Sequence, residues 1–223
     1  MVRSPPWECV VDDDGQTYLW REFIAPAEAE KVTADLIASL AWHKEAIAMF
    51  GRYVAVPRLV CWYGDPGAVY RYSGVVHEPL PWIPVLANLR ERVQTATDAD
   101  FNSVLANLYR DGNDSMGWHA DNEKELGKQP SIASLSLGAT RMFRLQHRRS
   151  KRVVNIPLAS GDLLFMTGET QKHWRHSVPK ERDVKASRVN LTFRKIVRTD
   201  NARHSCVGAD SSAIPMSARF TPP

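Results

Sequence analysis

With 223 residues, 43% of them hydrophobic and 24% charged, the chain has the makeup of one ordinary globular domain, long enough to bury a core. It has no apolar run of roughly 18 residues to cross a bilayer as a helix, its start from Met1 to Pro6 lacks the apolar segment of a secretory signal, and its 3 cysteines, Cys9, Cys61 and Cys206, are too scattered for a disulfide framework or a zinc knuckle. A reducing interior is the expected setting, and the net charge of +4 permits a nucleic-acid partner without requiring one.

Taken in chain order, Cys9-Val10-Val11 and Tyr18-Leu19-Trp20 predict a hairpin around the turn Asp12 to Gly15. Pro26 opens a helix whose apolar positions, Ala29, Val32, Leu36, Ile37 and Leu40, recur at helical spacing. The short apolar stretch Ala46 to Gly51 reads either as buried strand or turn, or as an exposed wedge carrying Phe50 with Gly51 freeing the backbone behind it. Tyr70-Arg71-Tyr72-Ser73-Gly74 alternates like a strand, so Tyr70 and Tyr72 share a face, in the core or against a stacked base. Pro84 starts a second helix with Val85, Leu86, Leu89 and Val93 as its buried stripe.

From Phe101 onward nearly everything reads as strand. Leu105, Asn107 and Tyr109 share one face, and further short strands are predicted over 132–137, 141–146, 152–158 and 163–166. His119 and Asp121, two apart in an extended or loop segment, project to one side and can reach one metal ion, with His176 as third donor. Two imidazoles and a carboxylate make the facial set that suits non-haem Fe(II), although an isolated His-x-Asp is commonly a surface hydrogen bond. In Arg188 to Arg194 strict alternation puts Arg188, Asn190, Thr192 and Arg194 on one face, either a solvent face or a cradle for a small dicarboxylate gripped by guanidinium. The basic run Arg141, Arg144, His147, Arg148, Arg149, Lys151 and Arg152 flanks the metal candidates in sequence and is expected to grip phosphate. The fold predicted is α+β and mainly β: a double-stranded β-helix, that is, a cupin-like jelly roll, with N-terminal buttress helices.

The order Asn107-Leu108-Tyr109, His119-x-Asp121, His176, Arg188-x-Asn190-x-Thr192-x-Arg194 resembles the AlkB family of Fe(II)/2-oxoglutarate dioxygenases over about residues 50–196. Val56-Pro57-Arg58, Tyr63-Gly64-Asp65, Tyr70 to Gly74, Pro81 to Leu86 and Glu123 to Leu126 look most like the branch with the human DNA-repair homologues. That resemblance implies Fe(II) on His119, Asp121 and His176, with 2-oxoglutarate and O2 as co-substrates. It implies 2-oxoglutarate on Asn107, Tyr109, Arg188, Asn190, Thr192 and Arg194, with Arg188 at the distal carboxylate. It also implies a flipped base between Tyr72 and His119, with Phe50, Gly51, Tyr70, Ser73, Asn122 and Glu123 on the substrate side.

The implied reaction demethylates 1-methyladenine and 3-methylcytosine in DNA, releasing succinate and formaldehyde. RNA or mixed substrates, and a non-catalytic nucleic-acid-binding module, are the competing readings. Asn122 stands where several members of the branch carry a carboxylate, and Lys180-Glu181-Arg182-Asp183 where they carry a basic triplet. One catalytic domain over 1–198 is expected, with helices and a nucleotide-recognition lid over about 1–100, the jelly-roll core over about 101–198, and a flexible tail over 199–223. The expected protein is a monomer without membrane contact, not secreted, cytoplasmic in a bacterium or nuclear in a eukaryote.

Overall fold

The structure, a computed structural model, describes residues 6–49, 52–72 and 75–197, and of 47–49, 52–53, 70–72 and 75–77 the backbone only. Phe50, Gly51, Ser73, Cys206 and the predicted tail lie outside the described residues, as do the side chains of Tyr70 and Tyr72. The N-terminal part runs β1 (Trp7–Val11), β2 (Gln16–Trp20), α1 (Pro26–Ser39), β3 (His43–Met49), β4 (Arg52–Gly64), the small hairpin β5 (Tyr70–Tyr72) and β6 (Val75–His77), and α2 (Pro84–Thr97). The remainder is β7 (Ser103–Tyr109), β8 (Met116–His119), β9 (Ile132–Gly138), β10 (Arg141–His147), β11 (Val153–Leu158), β12 (Leu163–Thr167), the single-turn α3 (Thr170–His173), β13 (Trp174–Val178) and β14 (Arg188–Arg194).

Both long helices carry proline in their first turn, where the missing N–H has no helical partner to lose. Their apolar stripes (Ala29 and Leu36; Leu86, Leu89 and Val93) belong to one buried cluster with Leu135, Val189, Leu191 and Phe193 of the large sheet. Arg92 of α2 reaches Glu28 of α1 at 2.5 Å, tying the two helices side by side. Ile37, expected in the stripe, is instead 36% exposed. One residue on from Leu36, it is rotated about 100° from the sheet-facing line.

Strand pairing gives the jelly roll. The large sheet runs β1-β2-β12-β9-β14-β7-β4-β3 and the small one β11-β10-β13-β8. From β7 the chain therefore crosses between sheets, except at the hairpin β10 to β11, and every strand from β7 on except β11 pairs with one distant in sequence. A second apolar cluster fills the space between the sheets: Leu19, Ile132, Leu164 and Met166 from the large one, Phe143, Leu145, Ile156 and Leu158 from the small one. Strand β14 is buried along its whole length, because α1 and α2 cover one face and the small sheet the other. Its polar residues thus face an interior, and the solvent-face alternative falls away.

The β12 approach is fixed by a turn that admits only glycine at one position. Gly161 has φ +88, and a Cβ there would lie 2.1 Å from the carbonyl oxygen of Ile24. Beside it Asp162 accepts from Arg21 at 2.6 Å and from the amide of Glu22 at 3.1 Å, joining the N-terminal hairpin to the barrel.

The basic run is split by the same topology. Arg141 is 1% exposed and fully engaged, with Glu181 at 3.0 Å and the carbonyls of Asp111, Asp114 and Pro179 within 3.0 Å. It anchors two loops instead of gripping phosphate, since its strand position points it inward. His147 is buried too, and Arg152 pairs with Asp13. Arg144 and the turn residues Arg148, Arg149 and Lys151 are exposed.

Candidate active site

Strands β8 and β13 pair antiparallel with His119 opposite His176, so the two imidazoles meet on the inner face of the small sheet. Their ring centres are 4.1 Å apart at 62°, and Phe143 of β10 stacks on His176 at 5.3 Å. Asp121 follows β8 after one intervening residue and is buried; its Oδ2 lies 4.0 Å from Nε2 of His176. One donor atom from each of the three lies within 4.8 Å of the others.

Several partners hold these donors in place. Nδ1 of His119 donates to the carbonyl of Gly117 at 2.9 Å, which leaves Nε2 with its lone pair. Arg194 donates to Oδ1 of Asp121 at 2.8 Å, and the amide of Asp121 donates to Oε1 of Gln171 at 2.9 Å. Oδ2 of Asp121 is buried without a hydrogen-bond partner, which a buried carboxylate oxygen rarely tolerates unless an ion is meant to sit there.

Burial opposes the charge of Asp121, but Arg194, His176 and His119 outweigh it and hold the carboxyl at about 2. Burial, then the neighbouring His119, pushes His176 down to about 3, and burial likewise lowers His119. Two neutral imidazoles beside an ionised carboxylate are the state in which such a set binds a divalent metal.

Behind the triad a cavity runs between the sheets, lined by Asn107, Tyr109, Ser134, Phe143, Met166, Asn190, Thr192 and Arg194. Register explains the gathering: Asn190 pairs with Asn107 on one side and Ser136 on the other, and Thr192 with Leu105 and Ser134. Asn190 donates to Oγ of Ser134 at 2.8 Å and accepts from Thr192 at 3.0 Å. Arg188 is not among the lining residues but adjoins Tyr109, its guanidinium 5.2 Å from that ring's centre. It is 1% exposed, donates to Ser136 at 2.8 Å through Nη2, and leaves Nε and Nη1 without partners. Burial lowers the pKa of this cation.

In front of the triad a second cavity shares His119, Asp121, Leu105, Met116 and Arg194 with the first and adds His43, Glu45, Arg58, Val60, Trp62 and Glu123. Oε2 of Glu123 is buried there without a hydrogen-bond partner. Asn122 is exposed and outside both linings, since the chain turns its side chain away between Asp121 and Glu123.

Arg58, which the sequence reading passed over as a site residue, reaches Oδ1 of Asn107 at 2.7 Å and so touches both cavities' walls. The signal was Pro57. Proline cannot donate to the ladder, and here the β3 to β4 register shifts between Lys44 and Ala46, whose partners are Leu59 and Ala55, leaving Val56 to Arg58 as the bulge. Gln171 had no local signal at all. Replacing it with alanine removes the brace on Asp121 without touching a donor. We expect a 10- to 100-fold weaker Fe(II) affinity, typical of lost outer-shell partners, measured by titration under anaerobic conditions.

A family model described as the 2OG-Fe(II) oxygenase superfamily matches residues 16–194. The DNA oxidative demethylase ALKBH2 of Homo sapiens is 44% identical over 207 residues, covering 88% of this chain and 79% of that protein. The Mus musculus protein of the same name is 41% identical over 209 residues, 89% of this chain and 87% of that one. Alpha-ketoglutarate-dependent dioxygenase alkB homolog 3 of Homo sapiens is 38% identical over 218 residues, covering 88% and 76%. The solved structure of OsALKBH1 superimposes with a TM-score of 0.62 at 18% identity, over 85% of this chain and 100% of that one, a likeness of fold. No helix among the described residues is long and apolar enough to cross a membrane.

Proposed function

The chain belongs to the AlkB family within the 2OG-Fe(II) oxygenase superfamily, Fe(II)- and 2-oxoglutarate-dependent dioxygenases, and from that premise we propose that it demethylates N-alkylated bases in DNA, 1-methyladenine and 3-methylcytosine among them. The observation that carries this reading is the meeting of two cavities at one metal-ligand set. The inner one has the polar lining of a keto-acid site, and the outer one carries Arg58 and Glu123, groups able to hydrogen-bond a base.

Bound Fe(II) supplies open coordination positions for 2-oxoglutarate and O2, and with them the means to oxidise an N-methyl group. His119, Asp121 and His176 hold the metal on this proposal. Asn107, Tyr109, Asn190, Thr192 and Arg194 line the co-substrate, and Arg188 receives its far carboxylate at the Tyr109 end. Arg194 also keeps Asp121 ionised and pointed at the metal. On the outer side, Oε2 of Glu123 accepts from the exocyclic amine of the base and offsets the charge of a cationic lesion. Arg58 joins the two pockets through Asn107. Exposed Arg144, Arg148, Arg149 and Lys151 are left for phosphates. On this proposal the protein acts as a monomer. Its place is wherever the genome is kept, the cytoplasm of a bacterium or the nucleus of a eukaryote.

The deciding experiment supplies Fe(II), 2-oxoglutarate and a methylated oligonucleotide and follows succinate and formaldehyde. Matched DNA and RNA strands are run in parallel. Metal-dependent turnover with DNA preferred supports the proposal, equal turnover on both makes it a mixed-substrate enzyme, faster turnover on RNA replaces DNA with RNA as substrate, and none on either sinks it.

Phe50 gives a sharper test of the substrate's form. An apolar side chain that fills the gap left by an extruded base matters only where a stacked partner strand exists. Phe50→Ala is expected to slow repair of a methylated duplex much more than of the same lesion in a single strand. Equal losses with a lowered melting temperature would make Phe50 a core residue, whose truncation costs roughly 3 to 5 kcal/mol.

A further inference from the structure

We propose that the chain carries a second divalent-cation site, made by Asp14, His147 and His173, for an ion of the borderline class that takes imidazole and carboxylate together, such as Zn2+. The three come from separate segments: the turn between β1 and β2, the end of β10, and the end of α3. One donor atom from each lies within 4.8 Å of the others.

Oδ2 of Asp14 and Nε2 of His147 are 3.1 Å apart, close to the ligand-to-ligand edge of a tetrahedral site with bonds of about 2.0 to 2.1 Å. His173, its side chain 30% exposed, has only to turn inward to complete the set. Each histidine has a group that can orient it, as ligating imidazoles need. The amide of Ser150 donates to Nδ1 of His147 at 3.1 Å, which puts the ring's proton on Nε2 toward Asp14; for an ion to bind there that proton must move to Nδ1, where Oγ of Ser150, 2.8 Å away, accepts it. Nε2 of His173 lies 3.1 Å from Oε2 of Glu169, the residue just ahead of α3.

Two basic side chains near the histidines already have counter-ions, Arg152 on Asp13 and Lys172 on Glu169 at 2.9 Å, while Arg148, next to His147, extends to the exposed side. Asp14 and Glu169 thus face the histidines, and Asp14 has a side chain 52% exposed to an entering ion. A plain Asp-His hydrogen bond would use Asp14 and His147 alone. It leaves unexplained a second ring set nearly parallel to the first, 6.4 Å away at 20°, with a carboxylate of its own. The ion would also join the β1–β2 turn to α3, the turn that carries Gln171 and hence the brace on Asp121. That junction is otherwise made by Thr170 of α3, which accepts from the amide of Gln16 at 2.8 Å and donates to its carbonyl at 3.0 Å, and by Trp174 donating to the carbonyl of Asp13 at 3.1 Å.

The test counts Zn2+ on the full chain by titration and metal analysis after dialysis. We expect two equivalents in the wild type, and one in Asp14→Asn, in His173→Gln and in the double variant His119→Ala/His176→Ala. Zn2+ should raise the melting temperature of that double variant, and adding Asp14→Asn to it should abolish the rise. His147 is left intact because its burial makes a misfolded variant ambiguous. If the double variant binds no Zn2+, or if Asp14→Asn and His173→Gln both keep the wild-type count, Asp14 and His147 form a hydrogen bond and no more.

Discussion

Turnover should fall to background when any one of His119, Asp121 or His176 is replaced by alanine, and should survive His173→Ala. Each triad residue supplies one donor to a set of three, and two donors rarely retain a divalent ion against water and buffer. Asp121→Ala does more than remove an oxygen. It also removes the anion of the set, the carboxylate that Arg194 reaches at 2.8 Å and that offsets the charge of a bound metal. His173 lies three residues from His176, but the α3-to-β13 junction separates them. His176 points inward opposite His119, whereas His173 turns to Glu169 and the β1–β2 turn. Succinate formation and anaerobic Fe(II) titration check the pair of outcomes. Iron binding lost in His173→Ala and kept in His176→Ala would overturn the ligand assignment.

The contrast between those two histidines marks what a sequence can carry. Alternation of side chains along a strand is local, so Asn107 and Tyr109, and Asn190, Thr192 and Arg194, could be placed on shared faces from spacing alone. Which strand stands next to which is not local. Ser134 and Ser136 alternate in the same way, but without the β14 to β9 register nothing joined them to Asn190 and Arg188. Arg141 looked like part of a cationic tip because its neighbours in sequence are cations. Its neighbours in space are Glu181 and three carbonyls contributed by other loops. Pro57 did mark a break in β4 in advance, and the bulge it imposes turns Arg58 toward Asn107. Gln171 could not have been found, since its role depends on a single-turn helix meeting Asp121 from 50 residues away.

Arg188→Met should weaken 2-oxoglutarate severely while leaving the folded protein as stable as before, or more so. Losing one side of a charge-assisted pair in an enclosed site costs on the order of 2 to 5 kcal/mol, which is roughly 30-fold to several thousand-fold in the KM for 2-oxoglutarate. The stability effect has the opposite sign. Without co-substrate, Arg188 is a cation 1% exposed, with Nε and Nη1 lacking hydrogen-bond partners, Nη2 on Ser136, and Tyr109 and Glu181 offsetting its burial only in part. A buried charge compensated only in part is a standing cost, and methionine fills much of the same volume with an unbranched chain that needs no partner. Binding sites often retain such a cost because the ligand removes it. The measurements are the KM for 2-oxoglutarate and the melting temperature of the co-substrate-free protein. An unchanged KM would remove the co-substrate role from Arg188. A melting temperature lowered as by a core truncation would make it a structural cation, held by Ser136 and Tyr109 more firmly than its two bare nitrogens suggest.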